Sequence, residues 1–201
     1  MINKINANKN DLKNYLLNTS SVTLSLEQEI DKIIEITTIL VKAINKNGKI
    51  LVAGNGGSSS DAEHFVGELL CTYKNPKRRG FPAISLASNN AAVTAWANDF
   101  GYDSYFFRQL KSLGGKKDVL FLISTGGGDL KNKFSLNLVN AALEAKKMGI
   151  CVISLIGKSG GELQKISDHY IKIKSSVTSH IQESHMVILH MICEIIDNIN
   201  D

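Results

Sequence analysis

The stretch Ile50-Leu-Val-Ala-Gly-Asn-Gly-Gly-Ser-Ser-Ser-Asp-Ala-Glu-His-Phe-Val-Gly-Glu68 combines residues for anion binding with residues for acid–base work. It has the pattern of a buried strand, a glycine-rich turn and a helix. Gly54, Gly56 and Gly57 permit a tight turn and a close backbone approach. Ser58, Ser59 and Ser60 follow, where a helix presents free N–H groups. Free amides, a positive dipole end and hydroxyls make an anion site, and phosphate is the usual anion. His64 and Glu68 stand four residues apart and share one helix face. A phosphate cradle beside a His/Glu pair points to an enzyme acting on a phosphorylated small molecule.

The glycine cluster alone does not decide this. It is neither a complete G-x-G-x-x-G fingerprint nor a P-loop, because no Lys follows the glycines. By itself it is equally an ordinary strand-to-helix turn with serine caps. Its weight comes from the elements around it.

Those elements alternate. Residues 8–45 have a helical pattern, with a start signal at Ser25-Leu-Glu-Gln-Glu and an apolar stripe through Ile30, Ile33, Ile34, Ile36, Leu40, Val41 and Ile44. Strands are predicted near 49–53, 83–87, 118–123, 150–155 and 169–173. They are short and apolar on both faces, as in a parallel sheet covered by helices. Helices are predicted near 60–73, 91–100, 130–148 and 161–166, with a long final one over 180–199. This order predicts an α/β fold, a doubly wound, Rossmann-like five-stranded parallel sheet between helices. It forms one domain, 1–201, with N-terminal helices (1–46) for packing or assembly and the sandwich from 47. Ligands of such sheets bind beyond the carboxyl ends of the strands. Three loops rich in small residues fall there: Gly54–Ser60, Ser124-Thr-Gly-Gly-Gly-Asp129 and Gly157-Lys-Ser-Gly-Gly161.

Composition narrows the class. The chain has 201 residues, enough for one sizeable core, and a mild net charge of +4. Its densest basic run, Lys74-Asn-Pro-Lys-Arg-Arg79, lacks the interleaved aromatics of a nucleic-acid platform and is predicted to be a solvated loop or a rim for an anionic substrate. Cys71, Cys151 and Cys193 are widely spaced among apolar residues, which argues against a disulfide framework or a cysteine zinc site and fits a cytoplasmic protein. The polar start, Met1–Asn10, is unlike a signal peptide, and no apolar run approaches membrane-spanning length.

Four motifs resemble a known family: Gly54-Asn-Gly-Gly-Ser58 with Asp61-Ala-Glu-His-Phe-Val-Gly-Glu-Leu69; Asn98-Asp-Phe-Gly101; Ile123-Ser-Thr-Gly126; and Ile181-Gln-Glu-Ser-His185 leading to His190. Over nearly its whole length the chain resembles sugar isomerase (SIS) domains and, within them, the phosphoheptose (sedoheptulose 7-phosphate) isomerases. The Ser-Thr-Gly loop is generic to SIS domains, whereas the combination of His64, Glu68, Gln182 and His190 is far more specific. The resemblance implies that Asn55, Gly56 and Gly57 touch the sugar phosphate, and that Ser58, Ser124 and Thr125 hold its phosphate with Gly126 in the same loop. It implies that Asn98 and Asp99 bond substrate hydroxyls. His64, Glu68, Gln182 and His190 would surround one divalent metal per subunit, usually Zn2+, and Glu68 and Gln182 would also face the substrate. Glu68 and His190 would be the acid/base pair of a homotetramer with sites at subunit boundaries.

The chain departs from the family pattern in three places. Family members carry Ser-Thr-Ser-Gly-Asn-Ser in the second loop; here Gly126 and Asp129 replace two of its serines. Ser179 stands where those members have an Asp, three positions before Gln182. Asp129 is expected to turn away and cap a helix beginning near Leu130, with the Gly126–Gly128 amides replacing the missing hydroxyls.

The implied reaction is a ketose–aldose isomerisation through a cis-enediol, converting D-sedoheptulose 7-phosphate to D-glycero-D-manno-heptose 7-phosphate for surface-polysaccharide heptose. It needs a base near carbon, an acid near the carbonyl oxygen, and donors or positive charge where the enediolate forms. A phosphorylated sugar and further copies of the chain are the partners implied, with no nucleic acid or membrane. Two other readings stand beside it: a non-catalytic SIS protein of the kind that binds the bacterial replication initiator, or an isomerase of another ketose phosphate. Read without the resemblance, His64 is a surface residue paired with Asp61 or Glu68, and His190 is a satisfied core histidine. His180 and His185 are structural or exposed, Asp99 caps a turn, and Trp96 is core.

Overall fold

Every residue of strand β1, Ile50–Gly54, is buried. So is every residue of β3, Val119–Ser124. Such strands need apolar cover on both faces. In the computed structural model, which describes residues 8–199, helices supply that cover. The sheet is parallel throughout, with strand order β2-β1-β3-β4-β5, where β2 is Ala83–Ser85, β4 Cys151–Ile156 and β5 His169–Lys172. Side chains alternate between two cores. Ile50, Val52, Phe121 and Ile153 pack under helices α2 (Ile30–Asn45), α3 (Gly57–Leu70) and α8 (Thr178–Asp197). Leu51, Ala53, Leu120 and Leu122 pack under α5 (Tyr105–Leu113), α6 (Leu136–Met148) and the short α7 (Leu163–Ile166). Helices α1 (Lys9–Leu24) and α4 (Asn90–Phe100) complete the set. The predicted α/β sandwich is therefore the observed fold; residues 1–7 and 200–201 of the single-domain reading lie outside the described residues.

The register explains why three loops share one edge. Gly54 pairs with Ile123, and Ser124 pairs with Ile156. The segments leaving β1, β3 and β4 therefore start level with one another. The order reverses between β1 and β3, the place where doubly wound sheets bind ligands.

Three boundaries differ from expectation by three residues or more, and one helix was not expected. Helix α3 begins at Gly57, because Gly56 at φ +56° turns the chain three residues earlier than predicted. It stops at Leu70, where the Phe81 amide takes the Leu69 carbonyl. Helix α6 begins at Leu136, not near 130. The intervening chain closes a loop in which the Asp129 and Phe134 amides each bond the other's carbonyl. Helix α5 was not anticipated: Tyr-Phe-Phe is a poor helical start, but the burial of Tyr105, Phe106 and Leu110 on one side stabilises it. Trp96, expected in the core, sits at its edge. It is half-buried, stacks near Phe100 and donates its indole N–H to Ser104 Oγ at 2.8 Å.

Two of the glycine loops interlock. Gly127 lies at φ +72°, and a Cβ placed there would stand 1.9 Å from the Gly160 carbonyl oxygen. The Leu163 and Glu162 amides donate to the Gly127 and Gly128 carbonyls. Gly127→Ala combines a positive-φ penalty with a backbone clash. It is expected to cost roughly 1–3 kcal/mol, seen as a fall in melting temperature. An unchanged melt would show that the two loops are not locked together.

Candidate active site

The glycine turn after β1 is held by its own carbonyls. The Ser58 amide bonds Asn55 O, and the Ser59 and Ser60 amides bond Gly56 O. These amides are therefore committed to the turn, contrary to the expectation that they are free for an anion. Ser58 itself is buried. Asn55 is fixed by an exchange of amide hydrogen bonds with Asn137 at 2.8 and 2.9 Å, and it accepts the Tyr102 hydroxyl at 3.1 Å. Neither Asn137 nor Tyr102 stood out in the sequence, because an Asn inside a helix and a Tyr after a turn carry no motif.

A cavity of about 640 Å3 opens beyond the strand ends. Asn55, Ser124, Thr125, Gly126 and Gly128 line it from the first two loops, and Lys158, Ser159 and Gly161 from the third. Lys158 has the left-handed conformation at φ +48°, unusual for a side chain of its size. Lys165, which also lines the cavity, pairs with Glu162 at 3.1 Å. The Ser124 hydroxyl is occupied on one side, accepting the Gly127 amide at 3.0 Å. The cavity thus offers hydroxyls, glycine backbone and lysine charge, the donors that a phosphate monoester needs.

Asp129 borders the same cavity but caps no helix. Its carboxylate accepts the Asn132 amide at 2.9 Å and the Asn132 side chain at 2.7 Å, forming an Asx-type turn. The Asn132 backbone bond, ahead of the side-chain bond, holds its pKa below the ordinary value. The expected helix cap is thus replaced by a loop clasp, since the helix starts seven residues later. Asp129→Ala is expected to loosen this loop and leave the Michaelis constant within about twofold, because the acceptor is already engaged. A tenfold change measured by steady-state kinetics would place the carboxylate against substrate.

Helices α3 and α8 carry the residues expected to do the acid–base work. His64 Nε2 lies 3.1 Å from His190 Nε2 and 3.3 Å from Glu68 Oε1. The i,i+4 spacing on α3 makes the second contact, and the crossing of α3 with α8 makes the first. Tyr73 stacks on the His190 ring with centroids 5.6 Å apart. Glu68 is half-buried, and its charge together with burial bears on Cys193, whose thiol is pushed up to about 12, burial first. Burial likewise raises Asp61 to about 6 against the pull of His64. Gln182 lies over the glycine turn, where a Cβ on Gly57 would stand 2.4 Å from its Nε2. The structure therefore joins His64, Glu68 and His190 through one nitrogen and sets Gln182 against Gly57. Among the described residues, no group of three or more His, Cys, Asp or Glu side chains is arranged to hold a metal ion as it stands.

The remaining predicted residues fall elsewhere. Asn98 and Asp99 are exposed on the last turn of α4 and bond each other at 2.8 Å. Asp99 borders a separate hollow with Trp96, Phe100 and Arg108. Ser179 occupies the first turn of α8. His180 is buried against the Tyr15 ring, and His185 is wholly buried with Nε2 donating to the Ile156 carbonyl at 3.3 Å. Burial lowers the His185 pKa to about 4, so the ring is a neutral structural tie. Of the basic run expected to be a solvated loop or a rim for an anionic substrate, two of the four cations are paired by α8: Lys74 with Glu194 and Arg78 with Asp197.

This geometry agrees with three comparisons. The family model for the SIS domain matches residues 14–157. The chain is 40% identical over 185 residues to a phosphoheptose isomerase of Helicobacter pylori, covering 92% of this chain and 93% of that one. It is 38% identical over 187 residues to a phosphoheptose isomerase of Aliarcobacter butzleri, covering 93% and 95%. A solved phosphoheptose isomerase from Francisella tularensis superposes with a TM-score of 0.87 at 31% identity, covering 94% of this chain and 98% of that one. One from Neisseria gonorrhoeae gives 0.79 at 30% identity, covering 94% and 100%. With a polar cavity at the sheet's switch point and His64 touching both Glu68 and His190 between α3 and α8, the chain belongs to the phosphoheptose isomerase family of SIS-domain proteins.

Proposed function

We propose that the protein isomerises D-sedoheptulose 7-phosphate to D-glycero-D-manno-heptose 7-phosphate, feeding surface-polysaccharide heptose. The contact of His64 with both Glu68 and His190 carries this reading, because it places a base and its partners within one hydrogen-bond radius. As a family member the chain is an aldose–ketose isomerase. The phosphate enters among Ser124, Thr125, the backbone of Gly126 and Gly128, and Lys158. Glu68 takes a proton from C1 of the ketose and returns it to C2. His190 gives a proton to the C2 oxygen and takes the C1 hydroxyl proton as the new aldehyde forms, so both residues end in their starting states. The non-catalytic binding alternative is not favoured, since the acid–base cluster is assembled and the relatives are named as isomerases.

The donor set suits a divalent ion, and zinc is the one proposed. A tetrahedral ion with bonds of about 2.0–2.2 Å sets adjacent donors about 3.3–3.6 Å apart. The two contacts of His64 measure 3.1 and 3.3 Å. His64, Glu68 and His190 would hold the ion, with the Gln182 amide oxygen as a fourth donor. When bound, it would polarise the substrate carbonyl and stabilise developing negative charge.

Assembly into a homotetramer is the second part of the proposal. Helix α1 buries no residue, and its Leu12, Leu16, Leu17 and Leu24 are 61%, 63%, 68% and 75% exposed. A run of leucines this open favours a partner surface. Among the described residues no helix is long and apolar enough to cross a membrane. The mild charge and the cysteines without a disulfide support a cytoplasmic setting and no nucleic-acid partner.

The test is incubation with sedoheptulose 7-phosphate, followed by NMR of the sugar. Appearance of aldose signals supports the reading. An unchanged ketose spectrum across a range of enzyme concentrations and added zinc would overturn it.

A further inference from the structure

The two helices that carry the acid–base cluster are joined a second time by a buried ion pair, seven residues (about two turns) beyond His190 on α8. Arg78 Nε donates to Asp197 Oδ1 at 2.6 Å, and the two side chains are only 5% and 6% exposed. The same guanidinium reaches the end of α3. Nη2 donates to the Glu68 carbonyl at 2.7 Å, and Nη1 donates to the Leu69 carbonyl at 3.1 Å. Asp197, in the last turn of α8, uses its second oxygen to accept the Lys74 and Asn75 amides at 2.6 and 2.7 Å. Hydrogen bonds from those amides and from Arg78, offset by burial, hold the carboxyl below its ordinary range.

The arrangement has a specific consequence. Helix termini leave their last carbonyls without partners, and a guanidinium satisfies two of them here. One of those carbonyls belongs to Glu68 itself. Arg is suited to this because its planar fork spans several acceptors at fixed angles, which a Lys ammonium does not. Every group in the clamp belongs to α3, α8 or the segment directly after α3. The clamp therefore sets where α3 ends relative to α8, and with it the spacing of Glu68 and His64 from His190.

We propose that Arg78 and Asp197 are positioning residues for the isomerase site, holding the Glu68 end of α3 in register with the His190 helix. The proposal rests on the isomerase reading. Misplacement of a reacting group by about 1 Å costs on the order of 10²-fold in rate. Arg78→Lys keeps the charge beside Asp197 but loses the fork. It is expected to melt cooperatively, to keep the Michaelis constant for sedoheptulose 7-phosphate within about threefold, and to lower kcat by about 10²-fold. A folded Arg78→Lys protein with wild-type kcat overturns the proposal. If that variant does not fold, the paired replacement Arg78→Met with Asp197→Leu takes its place, since buried ion pairs often tolerate apolar substitution as a pair. The same loss of kcat is expected. Wild-type kcat in the folded pair, or failure of both proteins to fold, would show that the clamp serves the fold and not the site. Wild-type protein without turnover would sink the functional reading instead. The clamp would then be judged by nitrogen NMR of the imidazoles: a His64–His190 contact that survives Arg78→Lys overturns it, and loss of that contact supports it.

Discussion

Glu68→Gln is expected to abolish measurable isomerisation while the protein still folds and assembles. Gln matches Glu in shape and keeps an oxygen near His64, so the α3–α8 contact surface is preserved. It cannot take a proton from carbon, and the enediol is then not formed. A general base supplies typically ~10²–10⁴-fold in rate. Glu68 is half-buried in the last turns of α3 and makes a 3.3 Å contact with His64, so its loss has little packing to disturb. The measurement is kcat by NMR of the sugar, with the melting temperature and the sedimentation profile as controls. Wild-type turnover would remove Glu68 from the mechanism. Loss of activity together with loss of the melting transition would make it a structural residue.

Removal of divalent metal is expected to have the second-largest effect. His64 and Glu68 come from α3, and Gln182 and His190 from α8. An ion shared among them would link two helices far apart in sequence. Treatment with a strong chelator followed by desalting is expected to lower turnover by at least tenfold, the equivalent of about 1.4 kcal/mol of transition-state stabilisation. Zinc added back is expected to restore it. Binding to the native state alone would also raise the melting temperature of the reconstituted protein. A protein shown by elemental analysis to be free of metal and yet fully active would disprove the metal assignment and leave the acid–base assignment standing.

Much of the architecture was legible because parallel strands covered on both faces are written as unbroken apolar runs. Val119–Ile123 is such a run, Cys151–Ile156 is one broken only by Ser154, and both are strands. The glycine loop and the His64–Glu68 spacing were legible for the same local reason: a turn needs residues of permissive backbone, and i,i+4 places two side chains on one face. Helix α5 was not legible, because its aromatic start gains helical stability only from the core it packs against. The start of α6 was misplaced because the residues after Gly128 are helix-compatible in composition. What stops them is the pairing of Asp129 with Phe134, together with positive φ at Lys133 and Ser135.

The sequence by itself determined the sheet, the glycine turn after β1 and the pairing of His64 with Glu68 on one helix face, since each depends on spacing within one segment. The tertiary structure alone decided how those helices meet. It brought His190 to His64, set Gln182 against Gly57, tied Asn55 to Asn137, and turned Arg78 from a loop cation into the buried link between Glu68 and Asp197. These contacts join residues roughly 80 to 130 positions apart, save the ten-residue step from Glu68 to Arg78. No periodicity records them, and only the family resemblance joined His190 and Gln182 to His64, because their partners are chosen by the crossing of α3 with α8 and by the strand register, which exist only once the sheet has formed.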